Sequence, residues 1–91
     1  MVDMDLVLLP NDSCPVREIG DGLVVMSPDG GTAHSLDRIG AFIWRRLDGH
    51  TNLETIAAAL TENYDVDLER ARADLTEFVT QLREADLVKI V

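Results

Sequence analysis

The stretch His34–Gly49, HSLDRIGAFIWRRLDG, decides the fold: it passes from an alternating segment through a helix cap into an apolar helical stripe that carries the only Trp. Asp37 stands where an N-cap belongs, its carboxylate placed to accept from the free amides of a helix predicted over Arg38 to Leu47. Ile39, Phe42, Ile43 and Leu47 recur at spacings of three and four with Trp44 beside them, and Gly49 closes the helix. Trp44 is expected to anchor a core between a sheet and the helices.

Upstream, between Val16 and Leu36, three short segments are divided by turn residues. PVREIG is followed by Gly22 and LVVMS, then by Pro28-Asp29-Gly30-Gly31 and TAHSL. Asp21-Gly22 and Asp29-Gly30 are the expected hairpin dipeptides, Gly supplying the positive φ of a tight turn. The result is a three-stranded antiparallel sheet. In its last strand Thr32, His34 and Leu36 alternate with Ala33 and Ser35, and neither face is strongly apolar. That strand is therefore predicted at an edge, with unpaired backbone N–H and C=O groups. Residues 1–14, with Pro10 and Asn11-Asp12-Ser13, read as a flexible arm before a domain over residues 15–91. The arm's Leu6-Val7-Leu8-Leu9 patch either docks on the chain's own core or meets a partner or second copy.

Downstream, Thr51 or Asn52 caps a second helix that buries Leu53, Ile56, Ala57 and Leu60, with Tyr64 near its end. Thr51 and Glu54 also fit a capping box. Asp65 or Asp67 caps a third helix, about Leu68 to Glu84, whose predicted inner face is Ala71, Leu75, Phe78 and Leu82. Leu87, Val88, Ile90 and Val91 suggest a short terminal strand or packed tail. Three strands followed by three helices make one α+β unit.

Composition narrows the function. A chain of 91 residues with 46% hydrophobic and 27% charged residues supports one small core, and its formal net charge of −9 repels phosphate backbones. Cys14 is alone, which forbids an internal disulfide and suits a reducing cytoplasm. No apolar run approaches the ~18 residues of a membrane span, and the acidic start is unlike a signal peptide. Motifs for zinc peptidases, phosphate loops, dinucleotide binding and nucleophile elbows are missing, and His34 and His50 are far apart. No catalytic residue, metal site or cofactor is expected.

The chain carries a connected pattern: HSLD at the sheet-to-helix junction, Ile43-Trp44, Leu47-Asp48-Gly49, then Ile56, Leu60 and Tyr64, then Asp74, Phe78 and Leu82. Over roughly residues 15–88 it resembles the PqqD family. These are small peptide chaperones of pyrroloquinoline quinone biosynthesis, sharing their fold with the recognition elements of ribosomally made, post-translationally modified peptides (RiPPs). The resemblance implies a winged helix-turn-helix-like domain that binds the leader of a precursor peptide and presents it to a modifying enzyme. That enzyme would be a radical S-adenosylmethionine enzyme or a leader peptidase. In such domains the leader adds as a strand to the third strand and lies against the third helix. The family usually carries Asn where Asp37 stands here, so the cap is kept and a charge is added.

Candidate peptide-binding residues follow. Thr32, Ala33, His34, Ser35 and Leu36 supply the strand edge, by β-augmentation. On the third helix Arg72, Thr76, Val79 and Arg83 share one flank, and Asp74, Glu77 and Gln81 another; the Arg72 flank is expected to face the groove. Two guanidiniums around a Val would suit a leader mixing apolar anchors with Asp or Glu. The plainer alternative has Arg72 and Arg83 offsetting neighbouring carboxylates on a wet surface.

Two other function classes compete. A winged-helix DNA-binding regulator would read DNA with the third helix, but that region carries Asp67, Glu69, Asp74, Glu77, Glu84 and Asp86 against Arg70, Arg72 and Arg83. Such a face collects few phosphates. A dimerisation module would lay the N-terminal arm on the edge strand of a second copy; an arm covering that edge would weaken leader binding, and deleting residues 1–12 would strengthen it.

Overall fold

The computed structural model describes residues 3–91; Met1 and Val2, part of the segment expected as an arm, lie outside the described residues. The strands are β1 (Leu8–Pro10), β2 (Val16–Ile19), β3 (Gly22–Met26), β4 (Ala33–Leu36) and β5 (Val88–Ile90). Between β4 and β5 lie the helices α1 (Arg38–Trp44), α2 (Leu53–Asn63) and α3 (Leu68–Glu84). The chain is α+β: a three-stranded antiparallel sheet, β2-β3-β4, followed by three helices, with β1 and β5 forming a second antiparallel pair.

The first hairpin turns one residue earlier than the Asp-Gly dipeptide suggests. Ile19 pairs with Gly22, so the two-residue loop is Gly20-Asp21, and Gly20 carries the positive φ of 60°. A positive φ at the first central residue alone is the type II′ arrangement, which suits the twist of the strands. Gly22 instead lies inside β3, where a Cβ would collide with the Leu36 carbonyl. The second hairpin is a longer loop held by its own side chains. Ser27 Oγ donates to Asp29 Oδ1 at 2.5 Å and accepts from the Thr32 N–H at 3.1 Å, while Gly31 N–H donates to Asp29 Oδ1 at 2.9 Å.

Each helix starts on a polar side chain. Asp37 accepts from Gly40 N–H at 2.8 Å, Asn52 from Thr55 N–H at 2.9 Å and Asp67 from Arg70 N–H at 2.8 Å. The Thr51–Glu54 capping box does not form: Asn52 is the cap and Glu54 is held by Arg72. α1 ends at Trp44, short of Leu47, because the chain tightens there. Arg46 N–H reaches Ile43 O and Leu47 N–H reaches Trp44 O, bonds of the 3₁₀ type. α3 ends in a Schellman motif: Leu87 N–H donates to Leu82 O at 2.9 Å, Asp86 N–H donates to Arg83 O at 3.0 Å, and Asp86 has φ 61°.

The segment expected as a flexible arm is docked. Leu8 is fully buried, and β1 pairs with β5 in the register Leu8↔Ile90, Leu9↔Lys89, Pro10↔Val88. Leu53 N–H also donates to Leu6 O, and Gly49 N–H to Leu8 O. The reason is hydrophobic burial: one fully buried Leu contributes about 1.5–3 kcal/mol, and the terminal strand gives the segment a backbone partner. Gly49, φ 81°, lies so close to Leu9 that a Cβ would fall 2.8 Å from its Cδ2. Leu8, Val25, Leu47, Leu53, Ile56, Leu75, Val79 and Leu87 fill the centre, with Trp44 buried at its margin.

Candidate functional site

β4 is an edge of its sheet, paired on one side only, with β3. Ladder alternation fixes which of its backbone groups are free. Ser27 N–H donates to Thr32 O at 2.8 Å across the β3–β4 hairpin, and Met26 N–H donates to Pro15 O at 2.9 Å on the β2 side. In an antiparallel ladder, bonded and non-bonded pairs alternate. His34, opposite Val25, and Leu36, opposite Leu23, therefore bond to β3, whereas Ala33 and Ser35 direct their N–H and C=O groups outward. Thr32 precedes β4, and its backbone N–H and C=O are both engaged with Ser27.

Beside this edge runs an open groove of about 720 Å³ between β4, the start of α1 and one flank of α3. Leu36, Ile39, Ile43, Phe78, Leu82 and Leu87 supply its apolar lining, and Gly40 keeps it deep: a Cβ there would come within 3.3 Å of Leu36 Cβ and 3.4 Å of Phe78 Cε1. Ile39 is 41% exposed, an apolar side chain with no cover. Ala33, His34 and Ser35 form the strand wall, and Asp37, Asp74 and Gln81 the polar margin.

The flank of α3 that meets β4 is not the one expected. Asp74, Phe78, Gln81 and Leu82 line the groove; Arg72, Thr76, Val79 and Arg83 do not. Val79 is fully buried in the core, and Arg72 Nε donates to both Glu54 oxygens of α2 at 2.9 and 3.0 Å. Arg83 is exposed beside Thr80 and Glu84 in a separate shallow hollow. The buried stripe of α3 is Ala71, Leu75, Val79 and Leu82, so Val79 takes the inward place assigned to Phe78. Residues 78 and 79 straddle that stripe. Which one turns inward depends on α2 packing on the Arg72 side, and periodicity alone carries no sign for that.

The groove consequently presents carboxylates rather than guanidiniums. Asp74 accepts from Arg70 Nε through both oxygens, at 3.1 and 3.2 Å. Arg38 and Arg46 of the α1 segment lie over the rings of Tyr64 and Phe42, with Cζ 5.5 and 3.4 Å from the centroids, and neither lines the groove. No group of three or more His, Cys, Asp or Glu side chains stands at metal-binding distances among the described residues.

Residues 22–88, from β3 to the start of β5, match the family described as coenzyme PQQ synthesis protein D (PqqD). The chain belongs to the PqqD family. This PqqD-family chain is also 34% identical over 68 residues to the PqqA binding protein of Rhizobium meliloti (strain 1021), covering 75% of this chain and 67% of that one. Among solved structures, its fold is similar to that described as TbiB1 in complex with the TbiA(beta) leader peptide. The TM-score is 0.81 at 28% identity, over 89% of this chain and 94% of that one. A lasso peptide synthetase B1 complexed with its leader peptide has the same fold, with a TM-score of 0.82 at 24% identity over 91% and 98% of the two chains. The PqqD match leaves out β1 and β2, so it rests on the part of the molecule that builds the β4 edge and the groove.

Proposed function

We propose that this chain captures the leader of a ribosomally made precursor peptide as an added strand on β4 and presents it to a modifying enzyme. The observation that carries this reading is the coincidence of a free strand edge with an apolar groove along the same strand. Ala33 and Ser35 supply the outward N–H and C=O groups, and guest side chains opposite His34 and Leu36 turn toward α3. An already folded edge needs little reordering on binding, so alternate apolar side chains of the guest set its selectivity. In this reading the chain serves as the binding partner of an enzyme that carries the chemistry. The PqqA binding protein and the TbiB1 leader-peptide complex among its relatives support this class of ligand. The enzyme that receives the guest is a radical S-adenosylmethionine enzyme or a leader peptidase; co-purification with each candidate separates them. No described helix is long and apolar enough to cross a membrane, and we place the encounter in the cytoplasm.

The test uses a Pro at the free edge. Ser35→Pro removes an outward N–H without touching the β3 ladder, so the variant is expected to keep its fold by circular dichroism and lose at least tenfold in leader affinity. Val24→Pro, in the central strand, is expected to unfold the domain. Backbone amides of residues 33–36 should shift on titration with a cognate leader; undisturbed amides together with full affinity in Ser35→Pro would sink the proposal.

A further inference from the structure

Resting on strand capture at β4, the charge of the groove says which guests it accepts. Its ionisable lining consists of His34, Asp37 and Asp74, and none of the eight Lys and Arg residues of the chain is among the lining residues. The nearby arginines are engaged elsewhere: Arg38 and Arg46 on aromatic rings, Arg45 at Glu18, Arg72 at Glu54. Arg70 meets Asp74 through a single Nε, which leaves that carboxylate further acceptor sites. Asp37 caps α1 with one oxygen, and its second oxygen has no hydrogen-bond partner among the described residues. Around these groups lies an apolar lining, and around the whole a chain of net charge −9.

We infer that the captured leader directs a Lys or Arg into the groove, between apolar side chains at alternate positions, where it meets Asp37 and Asp74, and that Asp and Glu are excluded from those positions. Guest residues opposite His34 and Leu36 point to the α3 side, so the selected pattern is apolar and cationic at spacing two. A cation there gains two carboxylates; an anion loses water beside them. The same sign of field over the molecule steers a cationic segment toward the edge and repels an acidic one.

Random peptides can stand in for the native guest. A display library of short random sequences is selected on the immobilised full chain at low salt, and the best clone is titrated as a labelled peptide while the amides of residues 33–36 are followed. Lys or Arg is expected to be enriched at a position two residues from an apolar one. Exchanging that residue for Gln should weaken binding about three- to fivefold, as for a partly exposed ion pair. Asp37→Asn keeps the cap, since Asn accepts the same amide, and combined with Asp74→Asn should erase the difference between the Lys and Gln peptides. The change made in the peptide leaves the protein intact, so a folding defect cannot imitate the result. Selected peptides that shift these amides yet carry Asp, Glu or no charge at the groove positions would overturn the inference and leave strand capture standing. Absence of any peptide that shifts them would remove both.

Discussion

At the residue scale, single positions with fixed backbone roles divide into those a sequence declares and those it hides. Asp37, Asn52 and Asp67 cap their helices as side-chain chemistry demands, although for two of the three the sequence offers a pair of neighbouring candidates. Gly20 and Asp86 were hidden. Both DG and GD placements satisfy a tight turn, and only the register of β2 on β3 selects Gly20. Asp86 sits at φ 61° after α3, a place where Gly is the unstrained residue. Asp86→Gly is expected to raise stability by about 0.5–1 kcal/mol in urea titration. The substitution also bears on Cys14, whose thiol is pushed above its ordinary range by burial and then by the Asp86 carboxylate. A lower melting point in the Gly variant would show that the Asp side chain contributes more than its backbone strain costs.

At the scale of elements, the order of three strands and three helices and the edge position of β4 were legible, because turn residues and two periodicities mark them in the chain. The rotation of α3 was not. A helix with apolar residues at both 78 and 79 has two near-equivalent stripes, and the choice is made by α2, through the Arg72–Glu54 pair and the apolar face behind it. β1 was hidden for a related reason: four aliphatics between turn residues name no partner, and the partner, β5, lies at the other end of the sequence. Leu8→Ala is expected to cost about 2–5 kcal/mol in chemical denaturation, the range for a fully buried Leu. Deleting residues 1–12 should then unfold the domain rather than bare the guest edge; tighter peptide binding by a folded deletion variant would contradict the docking of β1 on β5.

For the whole molecule, charge sets the conditions under which it stands. Three carboxylates are held below their ordinary range: Asp29 chiefly by the Ser27 hydroxyl, Asp48 chiefly by the His50 amide, and Glu54 chiefly by the Arg72 guanidinium. A carboxylate with a depressed folded-state pKa takes up its proton later than in the unfolded chain. Its stabilisation is thus complete above the ordinary carboxylate range and is lost as pH falls through the depressed value. Thermal melts should therefore be flat near neutrality and fall once the pH drops below that range. A melting point that climbs on acidification would mean that relief of the −9 self-repulsion outweighs these three sites.

β2, opposite β4, leaves a second margin of the sheet open, with all four of its residues exposed and Ile19 58% so. Two copies meeting there about a twofold axis would have to align antiparallel with like faces together, and the registers that overlap three of the four residues set Arg17 against Arg17 or Glu18 against Glu18. Mutual repulsion in either alignment makes the charged pair a lock against self-pairing. Replacing Arg17 and Glu18 together with Thr is expected to open the lock, seen as a concentration-dependent dimer in sedimentation under conditions where the unaltered chain stays monomeric.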